Sequence, residues 1–446
     1  MIHKLPKLNA LQTLAIGFVI IILIGTVLLM MPFSNRSGGS ISFIDALFTA
    51  TSATCVTGLV VSDTYTQFSF FGQLVILILI QIGGLGFMTI AVLFSLIVGK
   101  RIGLKERLNL MQSVNSPQVG GVVRVTRRIL IVTALFEVIG AGLLAIRFIP
   151  MFGTLKGIWY SLFHAISAFC NSGFDLMGTI TPNGSLMPFA TDPLVVIVVL
   201  ILIIVGGLGF IVWSDIADHR WHFSRYRLHT KILLVFTGVL IFVSTGLFII
   251  FEQGHTLSTY SAGEQVLVSL FSAITPRTAG FNTVNVAQMS EAGTGLTMIL
   301  MLIGAGPGST AGGIKITTIV VMIFAVVAHV RGKEDINLFG RRLEDRIIRK
   351  AFSSGAMYVL MLTTGLLVFL AIQDVTFVDG LFEAISAIGT VGLSRGITPI
   401  LNNSSRVVLI GLMYVGRVGS LAVAMAFIEH KTMSGLRNPV EKIIIG

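Results

Sequence analysis

The sequence predicts an all-α polytopic membrane protein. Four parallel span–pore-loop–span repeats, with eight transmembrane helices in all, are expected to surround a central pore with pseudo-fourfold symmetry. The first observation is composition: of 446 residues, 54% are hydrophobic and only 11% are charged, and the mean hydropathy is +0.92. The second is a short segment that occurs four times between long apolar runs, and the third is that Lys and Arg cluster in the connections after every second run. This combination excludes a soluble globular protein.

Eight apolar runs are close to or above the roughly 20 residues that a helix needs to cross a bilayer. The basic connections, such as Lys100–Arg128 and Arg331–Lys350, are expected on the inside, so that both termini are cytoplasmic. The net charge of +11 therefore indicates a basic cytoplasmic face on a lipid bilayer and not nucleic-acid binding. The runs are Leu11–Met31, Phe71–Val98, Ile129–Ile149, Leu194–Trp213, Ile232–Phe251, Gly295–Val330, Ala351–Ile372 and Val407–Ile428.

The repeated segment, first seen at Asp45–Leu59, begins as a helix-forming stretch with a Leu-Phe pair and continues as a β-branched, Gly-containing stretch. From that Leu to the final glycine there are 11, 11, 10 and 11 residues in the four copies. From this glycine to the first glycine of the next run there are 25, 33, 24 and 24 residues. The matched distances predict four repeats, which cover residues 1–100, 101–218, 219–340 and 341–446, the last with a short cytoplasmic tail.

Each repeat contains two spans, so all four have the same orientation, which disfavours the inverted repeats of many secondary transporters. Non-helical backbone at membrane depth is tolerated where it lines a water-filled path. Four such segments around one axis therefore predict a pore, in which rings of backbone carbonyls replace the water that a cation loses. The predicted filter residues are Val56, Thr57, Gly58, Asn171, Ser172, Gly173, Thr278, Ala279, Gly280, Thr390, Val391 and Gly392.

The charges near the filter are few. Arg277 is the one charged residue within the four filter pieces, and without rings of acids the filter does not suit divalent cations. Asp45 and Asp379 stand two residues before the Leu-Phe pairs and are expected to cap the short helices. Cys55 and Cys170 occupy matching positions and are expected to be packing residues, because two thiols alone do not make a zinc site.

The third repeat departs from the others at Gly304–Gly313, where five glycines and a proline fall within ten residues. This composition cannot continue a helix, so the span is predicted to break below the filter and to form a movable plug. Arg417, a costly cation inside the last span, is predicted either to pair with carbonyls of that loop or to repel an ion. The predicted gate comprises Gly304, Gly306, Pro307, Gly308, Gly312, Gly313, Lys315 and Arg417.

Enzymatic activity is not expected. The sequence shows no paired carboxylates, no nucleophile with a base, and no phosphate-binding loop on the cytoplasmic side. A secondary transporter that couples cation uptake to sodium or protons remains the alternative to a pore, with Glu137 inside a span as its coupling group.

Nearly the whole chain resembles the Trk/Ktr/HKT superfamily of potassium translocating proteins, and most closely the bacterial KtrB/KtrD type. The motifs that carry the resemblance are Thr54–Leu59, Pro276–Phe281, Gly389–Leu393, Gly304–Lys315 and Gly416-Arg417.

The resemblance implies channel-like potassium uptake across a bacterial plasma membrane, with K⁺ bound at the filter carbonyls. It also implies a homodimer on a cytoplasmic ring of RCK-type regulatory subunits that bind ATP or ADP, with NAD as a further candidate. Na⁺ is the activator expected from the frequent sodium dependence of Ktr systems. A Ser in place of the first filter glycine accompanies sodium permeation in such proteins, so the glycines at all four positions favour potassium.

Overall fold

The computed structural model describes residues 10–86, 89, 122–220, 222–333, 335–420 and 441. The part of the chain that it describes is mostly helical, with a single two-stranded antiparallel hairpin, Asn337–Leu338 with Arg341–Arg342. Several predicted features lie outside these residues: most of the loop Lys100–Arg128, the end of the run Phe71–Val98, and the end of the run Val407–Ile428.

Four long helices, called outer helices 1 to 4, are long and apolar enough to cross a membrane. Each is largely unburied and exposes aliphatic or aromatic side chains, such as Leu135, Phe242 and Leu360, which suits contact with lipid. They span Ala10–Met30, Val122–Phe152, Leu228–Glu252 and Asp345–Ile372.

Four short helices follow the outer helices, as the sequence predicts, and are called short helices 1 to 4. The prediction that Asp45 and Asp379 cap two of them is wrong. The hydroxyls of Ser42 and Thr376, three residues earlier, accept the cap hydrogen bonds from the amides of Asp45 and Asp379. The two carboxylates instead pair with arginines, Asp45 with Arg406 and Asp379 with Arg395. The short helices span Phe43–Thr54, Thr154–Phe169, Ala262–Ile274 and Phe377–Gly389.

The second helix of each pair is called an inner helix, and within the described residues inner helices 2 and 3 are interrupted. Inner helix 3 breaks between Leu302 and Ile316, as expected from its glycines. Inner helix 2, predicted to be continuous, bends by 94° at Gly209. Inner helices 1 and 4 end at Gly86 and Gly419. The helical parts are Phe70–Leu85, Pro193–Leu208 with Phe210–His219, Glu291–Leu302 with Ile316–Val330, and Asn403–Val418.

Contrary to the prediction, the third repeat is not alone in having a broken inner helix, because inner helix 2 also breaks. Gly86, Gly209 and Gly419 all have a φ between 79° and 97°, which only glycine adopts readily. A Gly-x-x-Gly spacing ends at each of these three glycines, since Gly83, Gly206 and Gly416 lie three residues earlier.

The helices form a closed circle. Each inner helix packs against the short helix of the next repeat, and inner helix 4 packs against short helix 1. Within each of repeats 1, 2 and 4, glycine also permits a close approach of the inner helix to the short helix. A Cβ at Gly83, Gly206 or Gly416 would collide with a carbonyl oxygen near the end of its own repeat's short helix, those of Thr54, Phe169 and Ile388 respectively. The four non-helical ends of the short helices consequently meet at the centre.

Candidate functional site

The four predicted filter glycines form a ring that closes in chain order. A Cβ placed on Gly58 would lie 3.3 Å from the Cα of Gly173, and one on Gly173 would lie 2.9 Å from the Cα of Gly280. A Cβ on Gly280 would lie 3.3 Å from the Cα of Gly392, and one on Gly392 would lie 3.0 Å from the Cα of Gly58. Segments up to 334 residues apart in sequence therefore share one small site, and side chains larger than glycine's hydrogen do not fit there.

Backbone conformation alternates in the same way in all four filter segments. Each glycine has a positive φ, between 71° and 92°, and the residue two positions earlier also has a positive φ. Alternation of left-handed and right-handed conformations turns successive carbonyls toward the same side of a strand. These earlier residues are not glycine and include β-branched side chains, for which a left-handed conformation is strained by about 1–3 kcal/mol. They are Val56 (57°), Asn171 (58°), Thr278 (70°) and Thr390 (50°).

The carbonyls that precede the glycines belong to the same ring. The oxygens of Thr57, Ser172, Ala279 and Val391 each lie against the glycine of an adjacent segment. The side chains of these residues are buried, as are those of Val56 and Asn171. All twelve predicted filter residues are thus brought together, with their backbone atoms at the ring and their side chains packed behind it.

A cavity of about 200 Å³ opens on one side of the ring and is called the vestibule. The four filter glycines form its floor, and two carboxylates, Asp63 and Asp175, stand in its wall. Asp63 is held by the amides of Thr66 and Asn183, at 2.8 Å and 3.2 Å. Burial raises the pKa of Asp175 to about 7; the Met177 amide opposes this shift and the negative charge of Asp63 adds to it.

Sequence reasoning missed both vestibule acids. Asp175 lies two residues after its filter glycine, where the other repeats carry Val60, Asn282 and Ser394, so the comparison of the four copies contained a signal. Asp63 is the N-cap of the helix Thr64–Gln67, four residues after the repeated segment ends at Leu59, and only the fold brings it beside Asp175.

The broken segment of inner helix 3, Ile303–Lys315, is called the gate segment. Ile303 and Ile314 form a parallel bridge, in which the Gly304 amide donates to the Ile314 carbonyl at 2.8 Å. Lys315 donates from Nζ to the carbonyls of Ala311 (2.7 Å) and Gly312 (3.0 Å). The segment is therefore a folded loop whose two ends lie side by side.

Repeats 2 and 4 bond directly to the gate segment, and Arg417 links it to repeat 1. Arg417 of inner helix 4 donates to the carbonyl of Thr310 and to those of Gly83 and Gly84 in inner helix 1, the last at 3.1 Å. Gly306 and Thr310 donate from their amides to inner helix 2, at Gly207 and Gly206. The Thr310 hydroxyl donates to the carbonyl of Phe169, at the end of short helix 2, at 3.1 Å.

The gate segment also contacts the filter. A Cβ at Gly312 would collide with the side chain of Thr390, and one at Gly313 would lie 3.2 Å from the carbonyl oxygen of Gly389. The bend of inner helix 2 is fixed by the same segment, since the Phe210 amide donates to the Gly308 carbonyl at 2.9 Å. All eight predicted gate residues therefore lie in one layer next to the filter, bonded to every repeat around it.

Two predicted charges lie away from the ring. Arg277 is buried, and its Nη2 donates to the hydroxyl of Thr237 in outer helix 3 at 3.3 Å. Glu137 of outer helix 2 is also buried; Gln81 donates to its Oε2 at 3.2 Å, and its Oε1 has no hydrogen-bond partner. Cys55 and Cys170 are buried free thiols.

Comparison with known proteins gives one family. Residues 8–434 match the model of the family described as "TrkH: Cation transport protein". The chain is 42% identical over 439 residues to Ktr system potassium uptake protein B of Bacillus subtilis, covering 98% of this chain and 96% of that one. It is 41% identical over 447 residues to the potassium/sodium uptake protein NtpJ of Enterococcus hirae, covering 99% and 98%.

A solved structure has the same fold. The potassium transporter TrkH from Vibrio parahaemolyticus superposes with a TM-score of 0.72, over 96% of this chain and 87% of that one. The sequence identity is only 18%, so the shared feature is the arrangement of the helices.

Proposed function

Because the chain belongs to the TrkH family of cation transport proteins, we propose that it is the channel-like, ion-translocating subunit of a Ktr-type potassium uptake system. Its homologues are membrane cation transporters and not enzymes. The relatives of about 40% identity are named as potassium uptake and potassium/sodium uptake proteins, which supports potassium as the transported ion.

The observation that carries this proposal is the closed ring of filter glycines. A dehydrated K⁺ requires several oxygen ligands that do not bind it too tightly, and uncharged backbone carbonyls meet this requirement. The alternating backbone of the four segments would present such carbonyls along one axis, and the acidic vestibule would concentrate cations above it. In this proposal K⁺ passes from the vestibule through the ring toward the gate segment.

The proposed architecture has eight membrane-crossing helices in four repeats related by pseudo-fourfold symmetry, with the repeat boundaries given by the sequence. Four observations support it: the matched glycine spacings, the matched positive φ angles of the filter segments, the positive φ shared by Gly86, Gly209 and Gly419, and the circular packing of inner on short helices. The gate segment would close the path on the side opposite the vestibule, and Arg417 would add a positive charge there.

The remaining expectations extend the proposal to the whole assembly. The chain would work as a homodimer in a bacterial plasma membrane, with cytoplasmic termini and a regulatory RCK-type ring that binds adenine nucleotides below it. An exposed basic surface, which includes Arg331, Arg341 and Arg342 near the hairpin, is available on the side expected to face that ring. Na⁺ would act as an activator, which accords with the name of the Enterococcus hirae relative.

Potassium uptake by cells that lack their own potassium transporters tests the function directly. Expression of this chain is expected to restore growth on low potassium and the uptake of Rb⁺, and co-expressed ring subunits are expected to increase it. Uptake of neither ion, from protein that is present in the membrane, would refute the proposal.

A coupled secondary transporter is the second candidate, favoured by the unpartnered Oε1 of Glu137 at membrane depth. The two mechanisms differ in reversal potential: current through a pore reverses at the potassium equilibrium potential, whereas a coupled carrier reverses at a combined potential that moves with the sodium or proton gradient. Reconstituted protein in planar bilayers distinguishes them. Glu137→Gln should abolish coupling in the carrier and leave the reversal potential of a pore unchanged.

A further inference from the structure

Each short helix carries a hydroxyl side chain at one matched position, five residues after the Leu of its Leu-Phe pair. All four side chains are buried behind the filter. The residues are Ser52, Ser167, Thr275 and Ser386. Neither the filter motif nor the gate motif includes them, yet every one bonds to the backbone of its own filter segment.

In repeats 1 and 4 the hydroxyl is an acceptor. The Gly58 amide donates to the Oγ of Ser52 at 3.0 Å, and the Gly392 amide donates to the Oγ of Ser386 at 3.1 Å. In a planar trans peptide the N–H and the preceding C=O point in opposite directions. An amide bonded to a serine behind the strand therefore directs the preceding carbonyl, that of Thr57 or Val391, away from the short helix.

In repeats 2 and 3 the hydroxyl is a donor, and it bonds to a different peptide. Ser167 donates to the carbonyl of Phe174 at 2.6 Å, and Thr275 donates to the carbonyl of Phe281 at 2.5 Å. Both carbonyls follow the filter glycine, at the edge of the vestibule. The Ser167 hydroxyl also contacts the Ser172 hydroxyl at 2.8 Å, but neither Ser167 nor Thr275 bonds through its hydroxyl to the peptide before its filter glycine.

One backbone bond is shared by repeats 1, 2 and 4, whereas in repeat 3 the amides of Ala279 (2.9 Å) and Gly280 (3.4 Å) both donate to the Thr275 carbonyl. The amides of Thr57, Ser172 and Val391 donate to the carbonyls of Ser52, Ser167 and Ser386, each at 2.8 Å. This bond occurs in both kinds of repeat, so it cannot distinguish them. Side-chain size does not separate them either, because Ser occurs in both groups.

We propose that Ser52 and Ser386 are positioning residues for ion selectivity, because they fix the Thr57 and Val391 carbonyls that coordinate the ion, whereas Ser167 and Thr275 fix the rim of the vestibule. This inference rests on the proposed function. The ring then has two kinds of segment: two whose coordinating peptide is tied to a short helix through a side chain, and two whose coordinating peptide has no such side-chain tie.

The experiment measures the K⁺-to-Na⁺ permeability ratio of the full-length protein in planar bilayers. Ser52→Ala and Ser386→Ala each remove the acceptor, and loss of one hydrogen bond of average net strength predicts about a fivefold fall in the ratio. Ser386→Thr retains a hydroxyl that can accept the bond from the Gly392 amide, so this variant should keep the wild-type permeability ratio. Ser167→Ala and Thr275→Ala should change it by less than about twofold, since they do not touch a coordinating peptide.

Ser161→Ala is the matched control. This serine is buried in short helix 2, but its hydroxyl donates to the Gly157 carbonyl of the same helix at 2.7 Å, away from the filter. Thermal unfolding in detergent is recorded for every variant, so that a loss of stability is not read as a loss of selectivity. If Ser52→Ala does not accumulate in the membrane, Ser386→Ala decides.

An unaltered ratio in both acceptor variants, or an equal fall in all four hydroxyl variants, would overturn the positioning role while leaving the proposed function intact. A wild-type chain that conducts no potassium would instead overturn the proposed function. The two failures are thus distinguishable within one set of recordings.

Discussion

The guanidinium of Arg417, in the last inner helix, donates a hydrogen bond to the backbone carbonyl of Thr310, in the middle of the gate segment. A second arm of the same side chain reaches the Gly84 carbonyl of inner helix 1 at 3.1 Å. One cation thus ties the gate segment to the two inner helices at the beginning and end of the chain. Hydrogen bonds from a charged guanidinium to backbone carbonyls are stronger than those between neutral groups, so Arg417 stabilises one arrangement of the gate segment.

Replacement of Arg417 by Gln is expected to raise potassium flux. The variant loses charge-assisted hydrogen bonds worth about 1.5–3 kcal/mol and removes a positive charge from the path. We expect resting Rb⁺ uptake in cells to rise by about tenfold. Arg147→Gln is the control for loss of an arginine. Arg147 lies on outer helix 2, and its replacement breaks an ion pair with Asp192. Equal fluxes in Arg417→Gln and wild type would show that Arg417 does not hold the gate segment in a closed position.

Removal of residues 306–312 is expected to open the path more completely. The deletion is geometrically possible because Ile303 and Ile314 already lie side by side in a β-bridge, so the remaining residues can close the gap. Flux should increase and become independent of the ring subunits, because the bonds to Gly206 and Gly207 are lost with the loop. If the deletion variant reaches the membrane and its flux still responds to the ring subunits, the segment is not the gate.

The four segments that meet at the glycine ring could be located from sequence because their signal is a distance repeated four times, and a repeated distance survives differences in side chains. The breaks in the inner helices were predicted in only one repeat. Gly304–Gly313 has enough glycine to exclude a helix, whereas the Gly-Gly-Leu-Gly of Gly206–Gly209 is also compatible with a continuous span. A tertiary contact determines the bend at Gly209, because the Phe210 amide donates to the Gly308 carbonyl of the gate segment and not to a carbonyl of its own helix.

The helix caps show a second limit of prediction from sequence. Asp45 and Asp379 look like caps by residue type, but Ser42 and Thr376 supply the cap, and the acids form ion pairs across the fold. Arg406 lies 361 residues after Asp45, so a local pattern contains no information about that pair.

Replacement of Gly58 by Ser is expected to weaken discrimination of potassium over sodium. The φ of Gly58 is 92°, and a Cβ there would collide with the Ser172 carbonyl oxygen, so the ring must widen or distort. A change of about 1–3 kcal/mol in backbone strain would lower the permeability ratio by about tenfold. Gly142→Ser, on outer helix 2 with open space around it, is the control. A wild-type ratio in Gly58→Ser would mean that the ring is not the selectivity filter.

Potassium uptake is expected to depend on external pH through Asp175. Burial raises the pKa of this carboxyl to about 7, so its negative charge is present above that pH and is lost as the pH falls below it. Loss of one charge near the vestibule weakens cation attraction by about 0.5 kcal/mol, so the KM for K⁺ should rise about twofold between pH 8 and pH 6. Asp175→Asn should show the higher KM at both pH values. Asp218→Asn, which removes an exposed carboxylate paired with Arg128, should keep the wild-type profile. A pH dependence that persists in Asp175→Asn would assign the titration to another group.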